Sequence, residues 1–207
     1  MPPPTNKGLA FPPEPLTPAE VRTLLRAIPL RSNSGCRLRA LVGVLYGAGL
    51  RVQEALDLRP RDVDLDTCQV TVRAGKGGKR RVVAVDPFSC SLLAAWLDRR
   101  ATLGLTGRHP VFATYSEGAF GHPWDQREAR RSLARAGDRA GLTKRVHPHG
   151  LRHSHAVLLA RTQPLHVVQR QLGHARLDST QTYISHLSAH DLSEHVAAAF
   201  GNWMGEP

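Results

Sequence analysis

The chain has 207 residues, enough for one substantial domain or two small ones, and its 41% hydrophobic content suffices for a proper core. Lys and Arg number 28 against 17 Asp and Glu, a formal charge of +11, which favours a polyanionic partner because neutralising phosphates releases counterions. Cys36, Cys68 and Cys90 match no close-spaced zinc pattern, the start shows no secretory leader, and the most apolar stretch, Leu41 to Leu50, is far too short to span a bilayer; a cytoplasmic protein with free thiols is expected.

Residues 1–16 hold six prolines and little apolar patterning, and are expected to form a loose tail or truncated linker. Order is expected from Thr17-Pro18-Ala19-Glu20, where Thr caps, Pro takes the first helical position and Glu completes a capping box. Val21, Leu24, Leu25 and Ile28 then share one apolar face. A second helix is predicted from about 37 to 48, stopping at Gly49, and a short third from 51 to 58. From Arg61 the pattern alternates instead. Val63 and Leu65, then Val70 and Val72, then Val82, Val83 and Val85 mark three short strands, the last two joined by a basic, glycine-rich hairpin tip at 74–80.

Asp86-Pro87 opens a helix to about 100. The helix predicted from about 125 to 140 carries Arg127, Arg130, Arg131, Arg135 and Arg139; a solvated face is the default for such a run, and a phosphate-contacting face looks the same. Further helices are predicted at 148–161, at 164–172 with Gly173 as the stop, at 178–186, and from Ser188 to Phe200. There is no internal repeat. The fold class read from this order is α+β, mainly α with one small antiparallel sheet.

Four segments carry candidate chemistry. If Pro148 starts a helix, His149, Arg152 and His153 share one face, and an imidazole beside a guanidinium near a helix N-terminus suits a phosphate. The competing metal site, from His147, His149, His153 and His155, lacks a nearby carboxylate or Cys and has Arg152 in its midst, so no metal is expected. Gly173-His174 is followed nine residues later by Tyr183, whose phenol is a weak nucleophile until cations stabilise the phenolate. Arg51 follows a glycine pair at a helix start, with Glu54 one turn on; an Arg held by a carboxylate is pre-oriented for phosphate, and a surface ion pair is the plainer alternative. The hairpin tip around Lys76 is a simple loop or a mobile arm bringing an ammonium to a substrate; it lacks Walker spacing.

Taken in order, Arg51 with Glu54, the Lys76 hairpin, His149-Gly150-Leu151-Arg152, Leu172-Gly173-His174 and Tyr183 resemble the signature of the tyrosine recombinases, the phage-integrase-type site-specific recombinases. The resemblance runs from about Thr17 to His186 and includes the helices–small sheet–helices layout. It implies the catalytic-domain fold of that family and a catalytic domain at 17–187, followed by a C-terminal helix and tail at 188–207. It also implies that Arg51 and Arg152 bind a scissile phosphate while His149 and His174 donate hydrogen bonds or carry protons. Lys76 is then the general acid, with Lys79 its one close competitor; Tyr183 is the nucleophile and Glu54 supports the site. The implied reaction cleaves and rejoins DNA through a 3′-phosphotyrosyl linkage without metal, cofactor or ATP. The implied partners are double-stranded DNA and further copies of the chain, a tetramer on paired sites; no membrane or small-molecule substrate is implied.

Two features depart from that pattern or leave it open. Most members carry an additional N-terminal helical DNA-clamping domain, where this sequence has its proline-rich stretch, so it is either a catalytic fragment or a short natural form. The apolar set Leu192, Val196 and Phe200 of the last helix docks either on its own domain or on a neighbouring protomer. The rival readings are a type IB topoisomerase, a non-catalytic DNA-binding module retaining the fold and, last, a metal-dependent nuclease.

Overall fold

The first helix, α1 (Pro18–Ala27), begins at a reciprocal capping box: Glu20 N–H donates to Thr17 Oγ1 at 3.2 Å, and the Glu20 carboxylate accepts from Thr17 N–H at 2.7 Å. Its apolar face, Val21, Leu24, Leu25 and Ile28, is buried. The structure, a computed structural model, describes residues 15–73 and 80–173. The helices expected at 178–186 and 188–200 lie outside the described residues. Leu16, placed by composition in the tail, is buried, and its N–H donates to Ser154 Oγ at 2.7 Å.

The central helix, α2 (Asn33–Tyr46), starts earlier than its apolar pattern predicts. Ser32 Oγ accepts from Gly35 N–H at 3.0 Å, and this cap extends the helix over a polar first turn that hydrophobic periodicity does not register. It also ends earlier, at Tyr46, with Gly47 as its cap. Ala40, Leu41, Val42, Val44 and Leu45 are wholly buried, because α2 is packed by α4 (Pro87–Thr102) along one side and α6 (Pro148–Thr162) on another. Between them come the short α3 (Val52–Leu56), a 3₁₀ turn at Pro60–Asp62, and three strands, β1 (Val63–Asp64), β2 (Gln69–Val72) and β3 (Arg81–Ala84). The sheet is antiparallel in the order β1-β2-β3, with Val63 opposite Val70 and Val70 opposite Val83. This register turns Val70, Val72 and Val83 into the core and leaves Val82 outside, the period of two that the sequence shows.

Side chains pin the irregular stretch between α4 and α5 (Gln126–Arg139). Buried Trp96 donates through Nε1 to the Val111 carbonyl at 2.8 Å, and the Arg37 guanidinium lies 3.9 Å from the Trp124 ring centroid. The last described helix, α7 (Leu165–Leu172), ends at Gly173 in the left-handed region, with φ 64°. Gln171 attaches α7 to the sheet edge: its amide accepts from Ala84 N–H at 3.3 Å and donates to the Ala84 carbonyl at 2.7 Å. The fold thus brings the start of α3, the start of α6, the end of α7 and strand β3 to one place.

Candidate functional site

A buried carboxylate organises that place. Arg51 is the N-cap of α3, so Glu54, at the third helical position, reaches back and accepts from the Arg51 N–H at 2.9 Å. The same carboxylate accepts from Arg51 Nη1 at 2.8 Å and from Arg81 twice, Nη1 at 3.0 Å and Nη2 at 2.8 Å. Arg152 Nη1 lies 3.9 Å from Glu54 Oε2. Burial pushes the Glu54 carboxyl up, but the hydrogen bonds from Arg81 and Arg51 outweigh it and hold the group below the usual carboxylate range. Three guanidinium groups therefore surround one ionised carboxylate, an excess of two positive charges (three minus one).

Arg152 sits in the first turns of α6 with only 3% of its side chain exposed. Its Nη1 donates to the Gly49 carbonyl at 2.5 Å and its Nη2 to the Leu172 carbonyl at 2.8 Å. Gly49 has a left-handed φ of 67°, and a Cβ there would fall 2.5 Å from His155 Cδ2, so only glycine lets this turn approach α6.

The positive excess faces a cavity of about 310 Å³ lined by Arg51, Arg152, His147, His149, Arg130 and Arg145. Partial burial, with the Arg152 and Arg51 charges adding to it, holds the His149 imidazole below its ordinary value, so it is chiefly neutral at neutral pH. Burial likewise lowers His147, helped by Arg145, His149 and Arg130. Its Nδ1 accepts from Gly150 N–H at 3.1 Å and so caps α6. Four fixed cations and two imidazoles that can donate or accept a proton make a receptor for a phosphate group and for negative charge developing on it.

Of the residues expected from sequence, Arg51, Glu54, His149 and Arg152 come together here. Lys76, His174 and Tyr183 lie outside the described residues. His153, expected on the face of His149 and Arg152, is buried instead and lines no part of the cavity. Of the α6 residues only Pro148, His149 and Arg152 line the cavity; His153, turned about 100° further round the helix than Arg152, is buried in the packed interior. The four histidines of the metal alternative do not converge: His147 and His149 stack at the cavity, with His147 Nδ1 capping its own helix, whereas His153 is buried away from it and His155 Nδ1 donates to the Tyr46 carbonyl at 2.6 Å. Among the described residues, no group of three or more His, Cys, Asp or Glu is placed to hold a metal ion.

Sequence reasoning missed Arg81 and Arg145 and left Arg130 undecided among five arginines. The pair Lys144-Arg145, two residues before His147, was a usable signal for Arg145; nothing local marks Arg81.

Comparison with known proteins decides the family: the model of the phage integrase family matches residues 14–190. The chain belongs to the phage integrase family. Relatives within it include tyrosine recombinase XerC of Xylella fastidiosa (strain 9a5c), 40% identical over 173 residues, which are 83% of this chain and 56% of that protein. XerC of Halalkalibacterium halodurans is 37% identical over 188 residues, 86% of this chain and 60% of that protein. The chain thus spans somewhat over half the length of these relatives. Among solved structures, the XerA recombinase superposes with a TM-score of 0.77 at 31% identity, covering 94% of this chain and 68% of that one. The XerH site-specific recombinase, in its post-cleavage complex with palindromic difH DNA, gives a TM-score of 0.71 at 29% identity over 90% of this chain and 53% of that one. The mainly helical fold with one small antiparallel sheet is therefore that of the integrase-family catalytic domains. Among the described residues, no helix is long and apolar enough to cross a membrane.

Proposed function

We propose that this chain cuts and rejoins double-stranded DNA as a site-specific recombinase, through a covalent 3′-phosphotyrosyl link to Tyr183. The observation that carries the reading is the convergence of Arg51, Arg152 and His149, distant in sequence, on one cation-rich cavity buttressed by Glu54. In this mechanism the Tyr183 oxygen attacks phosphorus in line, a P–O bond forms to the phenol, and the bond to the 5′ oxygen breaks. The phenolic proton passes to an imidazole of the site, His149 or His174, and Lys76 supplies the proton that the departing 5′ oxygen takes up. Arg51 and Arg152 offset the charge that builds on the non-bridging oxygens, as an oxyanion hole does. Because one phosphodiester is exchanged for another, rejoining by the reverse steps needs no metal, cofactor or ATP.

Assembly on paired DNA sites as a homo-oligomer, a tetramer, is part of the same proposal, as is work in the cytoplasm. XerH, at 29% identity, is seen bound to difH DNA, which supports DNA as the partner. An apolar groove of about 780 Å³ between α1, α2, α4 and α6, with Phe88 and Leu158 exposed on it, gives an assembly apolar surface to cover. The test uses nicked suicide duplexes with a randomised core, which lose a short strand after cleavage and so trap the covalent state. An adduct resistant to denaturant, mapped by peptide sequencing to Tyr183 and absent from Tyr183→Phe, is the expected result. DNA binding without any adduct supports the binding-module alternative. Relaxation of supercoils without joining between sites supports the topoisomerase alternative.

A further inference from the structure

Among the described residues, Arg81 is the one arginine around Glu54 that does not line the cavity. Both of its terminal nitrogens are committed to the carboxylate, at 3.0 and 2.8 Å, and its side chain is only 14% exposed. It is thus spent on the support of the site and leaves Arg51 and Arg152 to face a ligand. Its position in the chain adds a second role. Arg81 is the first residue of β3, directly after the basic 74–80 segment that carries Lys76. The same side chain also packs against the end of α7: a Cβ on Gly173 would lie 2.7 Å from Arg81 Nε and 2.8 Å from its Cδ and Cζ. Gly173, held at φ 64°, immediately precedes His174. One residue therefore joins three places: it begins β3, its guanidinium grips Glu54, and its side chain packs against Gly173.

We infer that Arg81 is a positioning residue for strand cleavage, fixing the roots of the Lys76 and His174 segments against the Glu54-braced pair Arg51 and Arg152. This rests on the recombinase reading above. Arg81 itself touches no phosphate. Its bidentate grip holds Glu54 ionised and centred, so that the carboxylate divides itself among three cations rather than collapsing onto Arg51. Removing it frees the carboxylate to draw Arg51 inward and loosens β3 from the Gly173 turn. A planar two-point contact is what an ammonium cannot copy, so lysine is a partial substitute only.

The experiment compares the unmodified chain with Arg81→Met, Arg81→Lys, Glu54→Gln and the double variant Glu54→Gln/Arg81→Met on the suicide duplexes, following DNA affinity and the single-turnover rate of adduct formation. The expected result for Arg81→Met is affinity within about twofold of the unmodified chain and adduct formation slowed about 10–100-fold, the usual effect of removing a group that orients a reacting residue. Arg81→Lys should recover part of that rate. The double variant should be no slower than the slower single variant, since both act through one contact; if Arg81→Met is unfolded, Arg81→Lys, which keeps the charge, carries the same comparison of affinity with rate. Equal losses of affinity and rate would make Arg81 a DNA contact and overturn the inference, as would an unchanged rate or additive losses in the double variant. If the unmodified chain forms no adduct, the recombinase reading itself fails and the inference goes with it.

Discussion

The Arg152 guanidinium donates to the Gly49 carbonyl at 2.5 Å, a bond between residues 103 positions apart that ties the start of α6 to the turn carrying Arg51. Arg51 is 33% exposed and depends on Glu54 for its orientation, whereas Arg152 is 3% exposed and held by carbonyls. These two of the cavity's cations are thus fixed by different means, one by a neighbouring charge and one by backbone. The backbone side fails if the Gly49 turn changes shape.

Gly49→Ala tests that dependence. Alanine at a left-handed φ costs about 1–3 kcal/mol, and here its Cβ also meets His155 Cδ2 at 2.5 Å. Urea denaturation should show a loss in or above that range, with slower adduct formation by the folded fraction. A variant as stable as the parent would mean that the turn bears no such constraint.

Glu54→Gln removes the charge that the three guanidinium groups share. Leaving buried cations without their counter-ion is expected to cost about 3–5 kcal/mol. The pH dependence has a definite sign. The folded-state carboxyl is held below its ordinary value of 4.5, so its contribution is complete above that pH and disappears as pH falls through the lower, folded-state value. The stability gap between parent and variant, measured by denaturant titration, should accordingly be widest at neutral pH and close on acidification. A gap that is constant from neutral to acid pH would show that Glu54 is not the titrating group.

The parts of the site legible in the sequence were those set by local geometry. Arg51 and Glu54 are three apart at a helix start, and His149 and Arg152 are three apart at another, so helical spacing alone pairs each couple. The order of the described helices and the three strands followed from period and capping for the same reason. Arg81 was not legible because its partner is 27 residues away, across the whole sheet, and an exposed strand arginine looks identical on paper. Arg130 stood among five arginines on α5; which one turns to the cavity is fixed by how α5 packs on α1, α2 and α3, not by its own sequence. His153 failed in the opposite sense. Helical spacing put it with His149, yet it is turned into the packed interior, while Arg152, with the same 3% exposure, still lines the cavity.

Arg130 and Arg145 line the cavity without contacting Glu54, so they are expected to serve affinity more than chemistry. Replacing either with alanine should weaken DNA binding for all sequences alike and lower the slope of log affinity against log salt by about one. The adduct rate at saturating DNA should fall much less than for Arg51 or Arg152 variants. An unchanged salt slope would place the phosphates elsewhere.

His155 gives the chain a stability limit on the acid side. Its Nδ1 donates to the Tyr46 carbonyl at 2.6 Å, and burial, with Arg152 adding to it and the Tyr46 bond opposing, lowers its pKa from 6.5 to about 4. A histidine with a lowered folded-state pKa binds its proton more readily when unfolded. Stability is therefore lost as pH falls from about 6.5 to about 4, by up to about 3 kcal/mol for this one group. His149 and His147 are lowered too and lose stability in the same direction. His155→Asn keeps an amide that can donate to the Tyr46 carbonyl but takes up no proton. Its urea midpoint should begin lower at pH 7, because the ring's packing against Gly49 is gone, and then decline less steeply than the parent's between pH 6.5 and 4. Parallel curves for the two proteins would assign the acid sensitivity to the cavity histidines and not to His155.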